Sequence, residues 1–188
     1  MDWKRFLTDV SITLMSGENL LPEYRDSVTT QWLGYEGATA SQISKREQEL
    51  QITFPPSYKQ FLQTSNGFRQ VGSFIWDIMP VENITWLKDF DEDFYAMYVD
   101  DIKTESLSDE KHFVYGEEQD VVRFKAEYLC NSLVISAWGD AAILLLNPAV
   151  KFGDEWEAWM YATWYPGAVR YKSFEELMKG LYKSHQDY

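Results

Sequence analysis

The order of patterns along this chain predicts a single α+β domain, with helices at both ends packed around an antiparallel-rich sheet. Three observations carry that expectation. Apolar residues recur at helical spacing from Trp3 to Leu14 and again from Phe174 to Leu181. Between them, Leu133–Ser136 and Ala141–Leu146 are apolar runs too short for helices, separated by a Gly139-Asp140 turn, as in a hairpin with a buried strand. The 188 residues show no internal repeat and no domain linker, and one core is enough for that length.

Trp3, Phe6, Leu7, Val10 and Leu14 form the stripe of a first helix that Ser16-Gly17 ends. The largely polar segment from there to Tyr35 reads as a connector with room for a short helix, so residues 1–34 form an N-terminal helical extension. Thr39 or Ser41 then caps a helix carrying Ile43, Glu47 and Leu50. Glu47 thereby falls on an apolar face. A carboxylate so placed either accepts backbone donors of a neighbouring loop or belongs to a functional pocket, and the structural role is the expected one.

The stretch Phe54–Gly67, FPPSYKQFLQTSNG, marks both ends of a helix: Pro56 suits the first helical position and Asn66-Gly67 offers a left-handed stop. Tyr58, Phe61, Leu62 and Ser65 lie at i, i+3, i+4 and i+7 on its core stripe. Phe74–Ile78 reads as a strand after Gly72, and Pro80 starts a short helical turn bearing Val81, Ile84 and Leu87. Asn147-Pro148 is expected to end the second strand of the later hairpin. Trp156–Tyr165 suits a third strand, Pro166-Gly167 turns the chain into Ala168–Tyr171, and Ser173 with Glu176 makes a capping box for a last helix bearing Phe174, Leu177 and Leu181.

Thirty Asp and Glu against seventeen Lys and Arg give a net charge of −13. That balance disfavours nucleic acid and anionic membrane surfaces and favours a basic partner. The charge is concentrated. An acidic insertion over residues 89–120 holds twelve carboxylates against Lys103 and Lys111, interleaved with Phe90, Phe94, Met97, Phe113 and Tyr115. The partner-binding set expected from it is Asp89, Asp91, Glu92, Asp93, Tyr95, Tyr98, Asp100 and Asp101. The alternative is a solubilising loop, with binding on another face.

Catalysis finds no support. His112 and His185 sit in a charged loop and near the C-terminus, with no serine or cysteine motif beside either. Asp89–Asp93 resembles a calcium loop superficially, but Phe94 stands where the turn glycine is required and Asp100 where the twelfth-position glutamate belongs. No phosphate loop or dinucleotide fingerprint is present, so no cofactor, metal or catalytic residue is expected. Cys130 is the only cysteine, the N-terminus lacks the apolar core of a signal peptide, and Ala141–Leu146 is far short of the roughly 20 residues of a spanning helix. The expectation is a soluble, cytoplasmic protein.

WLGYEGATASQI, Glu47, FPPSYKQFLQTSNG, a strand ending in Pro80, the Trp138-Gly139-Asp140 turn and the closing YKSFEEL together resemble the SUKH superfamily, of Smi/Knr type. That group includes fungal cell-wall-synthesis regulators and many bacterial immunity proteins. The resemblance has its core in residues 35–182 and puts Glu47, Pro55, Tyr58, Phe61, Leu62, Asn66, Gly67, Gly139 and Asp140 on signature positions that mostly define the fold. Gln51 departs from it, standing where a glycine often follows the first core helix. The resemblance implies a non-enzymatic α+β binding scaffold. It implies either an immunity protein that neutralises a cognate toxin, the partner then being a basic toxin domain, or a regulatory scaffold with no toxin partner.

Overall fold

The computed structural model of the chain describes residues 1–17, 20–28, 30–99, 107–164 and 167–186. Helices α1 (Trp3–Ser16), α2 (Pro22–Ser27), α3 (Ala40–Leu50) and α4 (Pro56–Thr64) come first. Strand β1 (Thr85–Trp86), helices α5 (Leu87–Phe90), α6 (Glu92–Val99), α7 (Asp109–His112) and α8 (Ala126–Cys130), and strand β2 (Leu133–Val134) follow. Strands β3 (Ala142–Phe152), β4 (Glu155–Ala162) and β5 (Gly167–Tyr171) lead into helix α9 (Phe174–Gln186). The strands form one antiparallel sheet in the order β1-β2-β3-β4-β5. The architecture is α+β with helices at both ends.

Side-chain alternation along the strands divides the core in two. On the inner face, Leu144, Leu146, Trp156 and Ala158 pack against α1, α4 and α9. Trp3, Tyr58, Phe61 and Phe174 meet there with contacting ring centroids 4.8 to 6.1 Å apart, so the first and last helices and the FPPSY helix share one aromatic knot. On the outer face, Ile143, Leu145, Trp159, Tyr161 and Ala168 pack against Leu87, Phe94 and Leu129 of α5, α6 and α8. Burial on both faces is why Ile143–Leu146 is a continuous apolar run rather than an alternating one.

The helix ends follow sequence chemistry. Asp2 caps α1, Thr39 and Gln42 form a full capping box on α3, and Pro56 opens α4. Ser173 Oγ accepts the Glu176 N–H at the start of α9, while the Glu176 carboxylate accepts from Lys172 rather than Ser173.

Four local expectations change. Helix α4 stops at Thr64, because Ser65 turns extended (φ −151°) and its hydroxyl bonds the Gly67 carbonyl at 2.5 Å. Gly67 is left-handed (φ 93°) for another reason: a Cβ there would lie 2.7 Å from the Ile78 carbonyl oxygen. A left-handed helix exit is found instead at the end of α3, at Gln51 (φ 57°, ψ 40°). Phe74–Ile78 forms no regular strand; Ile78 alone bridges Phe68 and Ser136, while Phe74 and Asp77 carbonyls accept from Asp140 and Ala137. Finally, Asn147-Pro148 does not end β3, which continues to Phe152 through a register shift between Asn147 and Lys151. Asn147 Oδ1 accepts the Ala149 N–H and supports that bulge. Of the third strand and following turn expected from sequence, Tyr165 and Pro166 lie outside the described residues.

Candidate functional site

The described parts of the acidic segment, residues 89–99 and 107–120, form an outer layer over the sheet. Asp91 sits between α5 and α6, where its Oδ1 accepts the Phe94 N–H at 2.9 Å and its Oδ2 accepts the Trp138 indole N–H at 3.0 Å. Glu92 and Asp93 then occupy the first turn of α6, where carboxylates are favoured by the helix dipole. Phe94 is the apolar anchor, its ring 4.9 Å from Tyr161 and 5.1 Å from Trp138.

The expected partner-binding residues therefore separate. Asp89, Glu92 and Asp93 are exposed and make no ion pair among the described residues. Asp91 and Tyr95 are half-buried, and the Tyr98 hydroxyl is hydrogen-bonded to that of Tyr161 on the sheet. Asp100 and Asp101 lie outside the described residues. Further along, Glu110, Glu117 and Glu118 are exposed, whereas Asp109 pairs with Lys125 and Asp120 with Arg123. Arg123's backbone N–H, the largest influence on Asp120, helps hold that carboxyl below its usual range. Large apolar side chains stand among the carboxylates, Met97 being 68% exposed and Val122 52%.

What fastens this layer was not legible beforehand. Glu157 of β4 is fully buried and accepts from Tyr115 Oη at 2.7 Å, Asn147 Nδ2 at 2.8 Å and Trp159 Nε1 at 2.7 Å. His112, read from sequence as part of a charged loop, is also fully buried, with Nε2 3.6 Å from Glu157 Oε1 and Nδ1 accepting the Lys125 N–H. Arg170 of β5, buried as well, donates to the carbonyls of His112 (3.0 Å), Asp120 (3.2 Å) and Arg123 (3.4 Å). Burial pushes Glu157 upward, but the surrounding donors outweigh it, so its carboxyl titrates below the usual range. Burial lowers Arg170, with Glu157 opposing. The signal in the sequence was Glu157 itself, a carboxylate on the same strand face as Trp159 and Tyr161.

A histidine, a carboxylate and a tyrosine within contact distance could move a proton in an open site. Here His112 and Glu157 have no solvent-accessible surface, so substrate cannot reach them, and the cluster serves as a fastening. Among the described residues there is no group of three or more His, Cys, Asp or Glu side chains placed to hold a metal ion. No helix among them is long and apolar enough to cross a membrane.

The signature positions cluster elsewhere, around α3 and α4. Glu47 accepts the Phe54 N–H at 2.8 Å and lies 3.3 Å from Lys59 Nζ. Pro55, Tyr58, Phe61 and Leu62 are buried, and Asn66 Oδ1 accepts the Val81 N–H at 2.7 Å. A Cβ on Gly139 would lie 2.0 Å from the Phe74 carbonyl oxygen, so the residue must be glycine. Asp140 is exposed, and the left-handed position of that turn is Ala141 (φ 56°).

A model of the SMI1 / KNR4 family (SUKH-1) matches residues 37–180, well over half of the chain. Comparison with curated proteins gave no match.

Proposed function

This chain belongs to the SMI1 / KNR4 family (SUKH-1), membership of which fits an immunity or a regulatory protein, and from that premise we propose that it is a non-enzymatic immunity-type protein that binds and neutralises a basic toxin domain. The observation that carries the reading is the exposed group Asp89, Glu92 and Asp93 without ion-pair partners among the described residues, beside exposed Met97. Unneutralised carboxylates on a fixed layer steer a basic partner into encounter, and neighbouring apolar side chains supply contact once water is excluded. The packing of Phe94 against Tyr161 and Trp138, with Asp91 accepting from the Trp138 indole, supports the reading because it holds α5 and α6 to the sheet before binding. The alternative is an intracellular regulatory or scaffold role on the same fold.

The test uses the protein as bait in its host, with a variant carrying Asp89→Lys, Glu92→Lys and Asp93→Lys as control. A basic partner domain should be captured by the parent protein and should arrest growth when expressed alone. Co-expression of the parent protein should restore growth, and the reversed variant should associate about tenfold or more slowly at low salt. A harmless partner would favour the regulatory role. Unchanged association kinetics would reject steering by this surface.

A further inference from the structure

A cleft of about 920 Å³ lies between the loop preceding α3 and the turn following Pro80, with none of Asp89, Glu92 and Asp93 in its lining. Tyr35, Glu36, Gln42, Asn66, Asp77 and Asn83 are among the residues that line it. Its charge has one sign: Glu36 and Asp77 line it and no lysine or arginine does. Glu82 extends the same sign, since its carboxylate accepts from two lining side chains, Gln42 Nε2 at 2.7 Å and Asn66 Nδ2 at 3.2 Å. Arg69, the cation beside the cleft, is already engaged, with its guanidinium 4.1 Å from the Tyr35 ring and one nitrogen donating to the carbonyls of Leu33 and Gly34.

The cleft is also built to keep its shape. Asp77 is half-buried and takes a 2.6 Å hydrogen bond from Tyr24 Oη on one oxygen. Its other oxygen has no hydrogen-bond partner among the described residues, and burial raises its pKa. Ile78, in the lining, exchanges two backbone hydrogen bonds with Phe68, and Gly37 approaches α4 so closely that a Cβ would lie 1.9 Å from the Gln63 carbonyl oxygen. A large preformed recess with a half-desolvated carboxylate and no lysine or arginine in its lining is complementary to a cation carried on a chain, even with the Arg69 charge acting on Asp77 from beside it.

We propose that this cleft is a docking site for an extended segment of a protein partner, and that it accepts a lysine or arginine side chain against Asp77 and Glu36. The proposal goes beyond the reading above, since an immunity protein or a regulator could use it. The cleft does adjoin the acidic layer: Ala137 lines it, and the next residue, Trp138, bonds Asp91. One partner could therefore engage both.

The probe is a capped Gly-Arg-Gly-Arg-Gly peptide titrated into the ¹⁵N-labelled full chain in about 150 mM salt, where exposed charges are screened beyond about 8 Å. Saturable amide shifts are expected at Tyr35–Gln42, Asn66 and Asp77–Asn83. Glu36→Gln changes an exposed side chain and leaves its backbone contacts intact; it should weaken the peptide several-fold, and adding Asp77→Asn should bring the loss to about tenfold or more. Asn83→Lys, also at an exposed position, should weaken it comparably by placing a cation in the cleft. In all three variants any shifts at Asp89–Asp93 should persist, so failure of the cleft is separable from failure of the acidic layer. Shifts confined to Asp89–Asp93, affinity unmoved by Glu36→Gln and Asn83→Lys, or free spermidine binding as tightly as the peptide would each overturn the proposal.

Discussion

Replacing Arg170 with methionine keeps a long aliphatic stem in place and removes only the guanidinium. Three carbonyls, those of His112, Asp120 and Arg123, then lose a donor held at 3.0 to 3.4 Å, and Glu157 is left fully buried without its nearby cation. Hydrogen bonds from a charged donor contribute about 1.5–3 kcal/mol each, so losing these should cost about 3–5 kcal/mol or more, a large part of the roughly 5–15 kcal/mol that holds a domain together. With a urea slope of about 2 kcal/mol/M, the midpoint should fall by about 1.5–2.5 M. Because the donated bonds fasten residues 112–123 to the sheet, hydrogen exchange should show those amides opening before β3 and β4. Replacing Glu157 by glutamine in the same chain removes the stranded charge and keeps an acceptor for Tyr115 and Trp159, so the double variant should recover about half of the loss. A loss below about 1 kcal/mol for Arg170→Met, or a double variant no more stable than the single, would refute the fastening argument.

Other consequences can be checked on the same samples. Glu157 titrates lower in the folded chain than in the unfolded one, so its contribution is complete above the unfolded value of about 4.3 and is lost as pH falls through the lower folded value. Acid titrations of stability should therefore be steeper for the parent protein than for Glu157→Gln between about pH 5 and 3. Asp77 works in the opposite sense: burial raises it, so what it contributes is present at low pH and lost as pH rises through its folded value. The Tyr58 hydroxyl is buried with no hydrogen-bond partner among the described residues. Tyr58→Phe should thus leave thermal stability unchanged or raise it by up to about 1 kcal/mol, and a loss larger than that would show that the hydroxyl is satisfied. Gln51→Gly should stabilise by about 0.5–1 kcal/mol in thermal unfolding, since a left-handed residue with a Cβ costs about 1–2 kcal/mol and glycine's extra unfolded-state freedom returns part of that.

Helix boundaries and core stripes were legible because their causes are local. Thr39 with Gln42, Pro56, and the spacing of Tyr58, Phe61 and Leu62 each act within a few residues, and each does in the fold what its position implies. Expectations failed where a distant group intervened. Ser65 ends α4 early because its hydroxyl is claimed by Tyr35 N–H and the Gly67 carbonyl, and Phe74–Ile78 gives its hydrogen bonds to the turn after β2 instead of to a strand ladder. β3 passes through Asn147-Pro148 because Asn147 is tied to Glu157 across the sheet.

The candidate site divides in the same way. Clustered acid over residues 89–120 could be counted, but counting could not show that Asp91 would be absorbed as a helix cap and Trp138 acceptor while Asp89, Glu92 and Asp93 stayed exposed. Nor could it bring together Asp77, Glu36 and Asn83, whose sequence separations carry no periodic signal.

From the sequence alone came the α+β class, the helix-forming stretches, the family resemblance and the sign of the charge, since propensity, periodicity and net charge are properties of neighbouring residues or of simple sums. Only the tertiary structure decided that the described parts of the acidic segment cover the second face of the sheet, and that His112, Glu157 and Arg170 close into one buried cluster. Those outcomes depend on which strand lies beside which and on which polar groups find partners once water is excluded, and a chain's order does not state either.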